Sequence, residues 1–168
     1  MSSGGLGADP AEVQRRFEEV TDRLGADFAS ERVARGASVA DIDNDGDLDI
    51  LMTTSGGPAV LFRNDGGSGE GLRIRLEGVA SNRNGLGARV TVTAGGDAQS
   101  QTLRSGSGYL SQNELVLTFG LGDGATADRV EIVWPGGNVD RLDNVPAGRM
   151  ITVREGRARA AEVVPFRN

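Results

Sequence analysis

Alternation of polar and apolar residues with a period of two, interrupted by short turns, runs through most of this chain, from position 37 to position 165. Val, Ile, Leu and Thr fill the runs and Gly, Asn and Asp fill the turns, which is typical of an all-β protein. The pattern predicts strands at residues 37–40, 49–54, 59–63, 72–76, 88–94, 100–104, 115–119, 129–134, 139–142 and 150–154. We therefore expect a mainly β fold, either a β-sandwich or an open barrel.

The N-terminal segment has a helical period instead. Apolar residues recur three or four positions apart between Val13 and Leu24, which predicts one buried stripe. Asp9 followed by Pro10 is a typical helix start. The sequence thus predicts an N-terminal helix over residues 9–24, packed against the sheets and preceded by a Gly- and Ser-rich tail.

Aspartates alternate with other residues around Gly46, a pattern that predicts a metal-binding loop. A loop curled around a cation can turn three alternate carboxylates inward, and two further positions offer a backbone carbonyl and a closing carboxylate, with water completing the shell. Such oxygen ligands select Ca²⁺. An EF-hand is excluded, because its twelfth residue must be Glu and is Met52 here. The predicted ligands are Asp41, Asp43, Asp45, Asp47 and Asp49.

Several residue types are missing, and their absence excludes classes of function. The chain has no Cys and no His, and all 18 of its basic residues are Arg. Disulfides, thiolate or imidazole zinc sites, Ser-His-Asp triads and catalytic lysines are therefore excluded. Any catalysis would have to use carboxylates, Arg, Tyr, Ser or Thr.

The negative charge of the chain is local. The net charge is −6, and the five loop aspartates account for most of it. Because no basic patch is visible, we expect no binding to nucleic acid. No stretch near 18 apolar residues and no secretory signal are present, so we expect no membrane span. These features predict a cytoplasmic protein, or a secreted one if the chain is a trimmed piece of a longer protein.

Three turn-rich polar segments follow in the second part of the chain, at residues 81–89, 104–112 and 134–137. A loop needed only for turning requires little beyond Gly, Asn and Asp, whereas these segments also hold directional donors. We expect residues 82–89 and 104–114 to converge on one ligand-binding face. Each segment could equally be structural, with Arg89 paired to an acid, Tyr109 packed on the sheet and Trp134 in the core. The candidate catalytic or binding residues are Tyr109, Arg89, Arg104 and Glu114.

These motifs carry a resemblance to two known families. Residues 41–49, with Leu-Phe-Arg-Asn-Asp-Gly at 61–66, resemble one FG-GAP/VCBS repeat, the calcium-binding unit of integrin-type propellers. The next part resembles the ASPIC/UnbV domain of the cartilage acidic protein-like family. Its motifs are Ser-Asn-Arg-Asn-Gly-Leu-Gly-Ala-Arg at 81–89, Ser-Gly-Ser-Gly-Tyr-Leu-Ser-Gln at 105–112, Phe-Gly-Leu-Gly at 119–122 and Trp-Pro at 134–135.

The resemblance implies a domain organisation and a calcium ion in the aspartate loop. The N-terminal tail and helix would occupy residues 1–36, the calcium-binding repeat 37–69, the ASPIC/UnbV-like β domain 70–155 and a C-terminal tail 156–168. A single repeat cannot close a propeller, so propeller function does not transfer. Gly71 and Thr118 stand where relatives often carry Trp and His, and any role of those side chains is lost.

Two classes of function fit these features. The first is a calcium-binding β module that binds a small molecule or a partner protein, with a place in bacterial secondary metabolism implied by the family's bacterial members. The alternative is a small cofactor-free enzyme that cyclises or rearranges a polyketide-like substrate by positioning and electrostatics. A single repeat also leaves strand edges exposed, so either the second part covers them or two chains pair as a homodimer.

Overall fold

Eleven strands dominate the computed structural model, which describes residues 18–66, 71–106, 108–157 and 159–167. They are β1 (Ala34–Ala40), β2 (Asp49–Thr54), β3 (Val60–Phe62), β4 (Gly71–Glu77), β5 (Arg89–Ala94), β6 (Asp97–Thr102), β7 (Val116–Gly120), β8 (Thr126–Val133), β9 (Val139–Pro146), β10 (Arg149–Arg154) and β11 (Ala160–Pro165). They form three sheets, with strand orders β1-β2-β3, β11-β10-β4-β7 and β6-β5-β8-β9. The mainly β prediction is confirmed.

The core lies between the two four-stranded sheets. Alternate residues of β4, such as Leu72 and Ile74, are fully buried, and so are Val90 and Val92 on β5 of the facing sheet. Trp134 is also buried, and its indole N–H donates to the Asp140 carboxylate at 2.8 Å. This face-to-face arrangement is a β-sandwich, as the alternation predicted.

The sandwich remains open at one corner, which distinguishes it from a closed barrel. There the edge strand β6 lies near the edge strand β7 of the other sheet, and no strand pairing joins them. Side-chain amides bridge the gap instead: Gln99 donates to the Gly120 carbonyl at 2.6 Å and Gln101 to the Thr118 carbonyl at 2.7 Å. Of the two predicted architectures, the sandwich is therefore the one observed.

The small sheet β1-β2-β3 is much less buried than the sandwich. Leu51 and Leu61 lie opposite each other on β2 and β3, and they are 45% and 51% exposed. The free edge of β1 bonds to the segment before β7, because Val39 N–H donates to the Asn113 side chain and Glu114 N–H donates to the Val39 carbonyl. The second part of the chain thus covers this strand edge, one of the two arrangements that were expected.

Residues 18–31, the described part of the N-terminal region, belong to a unit of their own. Positions 9–17 of the predicted helix lie outside the described residues, and the remaining positions 18–24 are not α-helical. They contain a 3₁₀ turn, Thr21–Arg23, where the Glu19 carboxylate accepts the Thr21 N–H at 2.8 Å and starts a new turn. A four-residue helix, α1 (Ala26–Ala29), follows Gly25.

Strand positions agree closely with the alternation, except near the C-terminus. Strand β2 has the predicted bounds, whereas β11 lies in the segment that was expected to be a tail. A turn at Gly156, whose φ of +76° suits glycine, reverses the chain and lets β11 pair antiparallel with β10. This pairing brings the end of the chain to the aspartate loop.

Candidate functional site

The aspartate loop joins β1 to β2 and is packed against the C-terminal end of β11. Gly46 has a φ of +100°, and a Cβ there would lie 2.5 Å from the ring of Phe166. Asn44 also has a positive φ, and its carbonyl accepts the Arg167 N–H at 2.7 Å. Only glycine can satisfy both the backbone conformation and the contact at position 46. Gly46 is therefore required for the tight turn of this loop.

Three of the five aspartates accept backbone N–H groups: Asp45 accepts that of Asp47 at 2.9 Å, and Asp41 and Asp49 each accept two. Asp41 accepts the N–H groups of Asn44 at 2.6 Å and of Gly46 at 3.0 Å. Asp49 is 2% exposed, and it accepts the N–H groups of Ile42 at 2.9 Å and of residue 64 at 2.8 Å. These bonds fix both carboxylates at the start and end of the loop.

Asp43 is not fully satisfied. One carboxylate oxygen of Asp43 is buried without a hydrogen-bond partner, and carboxylate oxygens of Asp41, Asp43 and Asp49 lie within 4.8 Å of one another. Burial raises the pKa of Asp47, and the negative charges of Asp45 and the other loop acids raise that pKa further. The loop therefore concentrates oxygen ligands and negative charge at one point.

This donor set fits a calcium ion. Calcium takes six to eight oxygens at about 2.3–2.6 Å, so two oxygens bound to one ion lie up to roughly 5 Å apart. The spacing of the three carboxylates meets that limit. A buried carboxylate oxygen without a donor is costly unless a cation or water satisfies it, and the Asp43 oxygen is of this kind.

Arg73 is the residue at this site that sequence reasoning missed. It lies on β4, is 2% exposed, and its guanidinium bonds to the Asp41 carboxylate at 2.7 Å and to the Glu114 carboxylate. The Nε atom of Arg73 is buried without a partner. Its own strand gives no signal, because Arg75 is the same residue type at the next outward position.

Glu114 connects the loop to the second part of the chain. Its carboxylate accepts from Arg73 and from the Asp41 N–H at 3.2 Å. Together with Arg104 and Asn113, Glu114 also lines a cleft of about 290 Å³. Glu114, one of the four candidate catalytic or binding residues, thus lies beside the aspartate loop.

The other candidates are more dispersed. Arg104 shares the cleft with Glu114, but Arg89 is exposed at the start of β5 and Tyr109 is 66% exposed beyond β1. Neither Arg89 nor Tyr109 lines that cleft. In the third polar segment, Trp134 is buried and Gly137 forms a hairpin turn in which its N–H donates to the Trp134 carbonyl at 2.9 Å. For that segment, the structure therefore agrees with the structural alternative, in which Trp134 lies in the core.

A second acidic site, at Glu155, contrasts with the loop. One of its oxygens accepts the N–H groups of residues 79, 80 and 81 at 2.7–2.9 Å, and the other accepts from the Ser81 hydroxyl and the Asn138 amide. Burial alone would raise the pKa of Glu155, but these hydrogen bonds outweigh it and lower the pKa to about 2. This carboxylate needs no cation.

Fold and site together define a β-sandwich domain that carries an acidic loop on a small additional sheet. Residues 78–160 match the protein-family model described as ASPIC and UnbV. This part of the chain is therefore an ASPIC/UnbV domain, and that part of the resemblance is confirmed. The match extends five residues beyond the predicted boundary at 155, to the start of β11.

Two curated relatives match a longer part of the chain. Human cartilage acidic protein 1 is 37% identical over 128 residues, which cover 71% of this chain and 18% of the relative. Mouse cartilage acidic protein 1 is 37% identical over 112 residues, which cover 62% of this chain and 17% of the relative. The chain thus spans less than a fifth of the length of these relatives.

Within the described ranges, no helix is long and apolar enough to cross a membrane.

Proposed function

We propose that this protein is a calcium-stabilised β module that binds a small molecule or a partner protein, and that the aspartate loop is a calcium site of the FG-GAP/VCBS type. The observation that carries the proposal is the buried oxygen of Asp43, which lacks a partner and lies among the carboxylates of Asp41 and Asp49. A bound cation would satisfy this oxygen and offset the mutual repulsion of the loop acids.

The residues that would hold calcium are those of the loop itself. Asp41, Asp43 and Asp49 have the required spacing, and Asp45 with the carbonyl of Asp47 would complete the protein ligands. Calcium would supply positive charge and a fixed coordination shell. The role is structural, because the acids are committed to the loop and to each other.

Arg73 supports a structural role for the ion. Its guanidinium neutralises part of the charge at Asp41 and Glu114, and within the described residues it forms no ion pair with the other acids of the loop. A divalent cation and Arg73 would then share the neutralisation of the loop acids. The binding module is favoured over the enzyme, because Arg89 and Tyr109 do not line the cleft that Arg104 and Glu114 share.

The test is thermal melting with calcium and with a chelator. A ligand that binds the folded state alone adds about 2.7 kcal/mol at a hundredfold excess over its Kd, which corresponds to a rise of about 5–10 °C in Tm for a chain of this size. Asp43→Ala should abolish the rise. The matched control is Asp65→Ala, because Asp65 is an exposed acid that pairs with Arg63 outside the loop.

The outcomes separate clearly. A calcium-dependent rise in Tm in the wild type and in Asp65→Ala, but not in Asp43→Ala, supports the site. An unchanged Tm in the wild type between chelator and millimolar calcium would refute it.

A further inference from the structure

A polar cleft of about 580 Å³ lies at the ends of β4 and β10, beside the start of β7. Arg75 of β4, Arg83 of the following connection and Arg154 at the end of β10 line it, together with Glu77 and Glu114. We name it the arginine cleft. Through Glu114, which also bonds to Arg73, it adjoins the aspartate loop.

The arginines of this cleft are unpaired. Arg75, Arg83 and Arg154 are exposed, and within the part of the chain that the structure describes their side chains have no ion pair or hydrogen bond. Elsewhere on the sandwich, an exposed arginine such as Arg129 bonds to Asp143 at 2.9 Å. Guanidinium groups with free donors are available to a ligand.

Positive charge extends beyond the arginine cleft. Arg154 also lines a neighbouring cleft of about 490 Å³ with Arg157 and Arg159. Five arginines therefore surround two clefts that share one residue, on a chain whose net charge is −6. Such a concentration of one charge attracts ligands of the opposite sign.

We propose that the arginine cleft binds a small molecule that bears two or more carboxylate groups. A guanidinium presents donors in a planar fork that matches a carboxylate with two parallel hydrogen bonds. Arg75, Arg83 and Arg154 come from three separate segments, so different forks can bind different carboxylates of one ligand. The volume is within the range of about 300–1,000 Å³ that is typical of small-molecule sites.

The two acids of the cleft narrow the class of ligand. Glu77 and Glu114 lie among the arginines and would repel a phosphate group, which carries about −1.5 to −2 charges at neutral pH, more than a singly charged carboxylate. Their oxygens can also accept hydrogen bonds from hydroxyl groups of the ligand. This inference rests on the proposed binding function and names its ligand class and its site.

The test uses the dicarboxylate succinate and its neutral analogue succinamide as probes. Arginine side-chain Nε–H signals of the full chain are followed by NMR during titration, once with calcium and once with a chelator. Succinate should shift a subset of these signals saturably, whereas succinamide should not. Arg154→Ala should weaken binding at least tenfold, or about 1.4 kcal/mol, and the matched control Arg129→Ala should bind within twofold of the wild type.

Two further measurements distinguish recognition by the planar guanidinium from attraction by positive charge alone. Arg154→Lys keeps the charge but loses the fork, so it should weaken succinate binding at least threefold. Inorganic sulfate should bind more weakly than succinate. Equal binding of sulfate, undiminished binding in Arg154→Lys, or equal loss in Arg129→Ala would overturn the carboxylate assignment.

The calcium arm keeps this proposal distinct from the metal site. If succinate binds but melting shows no calcium response, the proposed ion is wrong and the cleft assignment stands. If calcium raises Tm but no arginine signal responds to succinate, the cleft assignment is wrong and the metal site stands.

Discussion

The sandwich and the small sheet are stabilised by different interactions. Between the two four-stranded sheets, apolar side chains such as Leu72 and Phe119 are fully buried. The burial of apolar surface therefore stabilises this region. In the small sheet, Leu51 and Leu61 remain about half exposed, and polar bonds at the C-terminal end of β1 hold the sheet in place. One region is stable through packing, and the other depends on the neutralisation of charge.

The carboxylates of the two regions show the same contrast. Glu155 in the sandwich has donors for both of its oxygens, whereas Asp43 in the loop has a buried oxygen with none. Hydrogen bonds within the protein satisfy the first acid at any calcium concentration. The second acid would gain a partner only from a cation or water, so on the proposed calcium site the stability of its region should respond to calcium.

The largest expected difference between the regions is in the cost of removing a leucine. Leu72→Ala should lower the free energy of unfolding by about 2–5 kcal/mol, because it leaves a cavity in a packed core. The matched change Leu61→Ala, at a position that is 51% exposed, should lower the free energy of unfolding by less than about 1 kcal/mol. Urea denaturation measures both, and equal losses would show that the small sheet is as tightly packed as the sandwich.

Sequence reasoning predicted the strands better than the site because alternation is a local property. The bounds of β2 follow from its own residues and the turn at Gly46. Arg73, in contrast, belongs to the site only because the loop folds over β4 and places Asp41 within 2.7 Å of it. No local pattern shows which outward position of a strand will be covered by a distant segment.

The C-terminal strand could not be predicted for a related reason. Residues 160–165 contain few strongly apolar positions, and most are exposed, so alternation is weak there. The strand forms because β10 offers a free edge for pairing, with Met150 opposite Val164. The contact of Phe166 with Gly46 then depends on that pairing.

The next largest effect should be found at Glu155. Glu155→Gln removes the charge that several buried donors require, and unsatisfied donors cost about 1–3 kcal/mol. The pKa of Glu155 is lowered from 4.5 to about 2 in the folded protein, so its stabilisation is fully present above pH 4.5 and is lost as the pH falls towards 2. The difference between wild type and variant should therefore shrink over that window.

Urea denaturation at a series of pH values measures this effect. Glu131→Gln is the matched control, because Glu131 is a surface acid paired with Arg141 and such pairs contribute little. If Glu155→Gln lowered the free energy of unfolding at pH 7 as little as Glu131→Gln does, the proposed contrast between the two regions would be wrong.

The smallest effect is expected in the segment that was predicted to bind ligand. Tyr109 is 66% exposed and Arg104 is exposed without an ion pair in the described part of the chain. Surface changes of this kind usually alter stability by no more than about 0.5 kcal/mol. Tyr109→Phe and Arg104→Ala should therefore leave Tm nearly unchanged.

Displacing the backbone of the same segment should lower Tm more than these side-chain changes do, because that backbone covers the edge of β1. The Tyr109 carbonyl and the Ser111 hydroxyl would lie 2.9 and 2.4 Å from a Cβ at Gly36, so Gly36→Ala should push the segment away and lower Tm by several degrees. Melting of Gly36→Ala beside Tyr109→Phe separates the two contributions. Equal destabilisation by both would mean that the Tyr109 hydroxyl is itself a structural support, and the small sheet would then depend on side chains as the sandwich does.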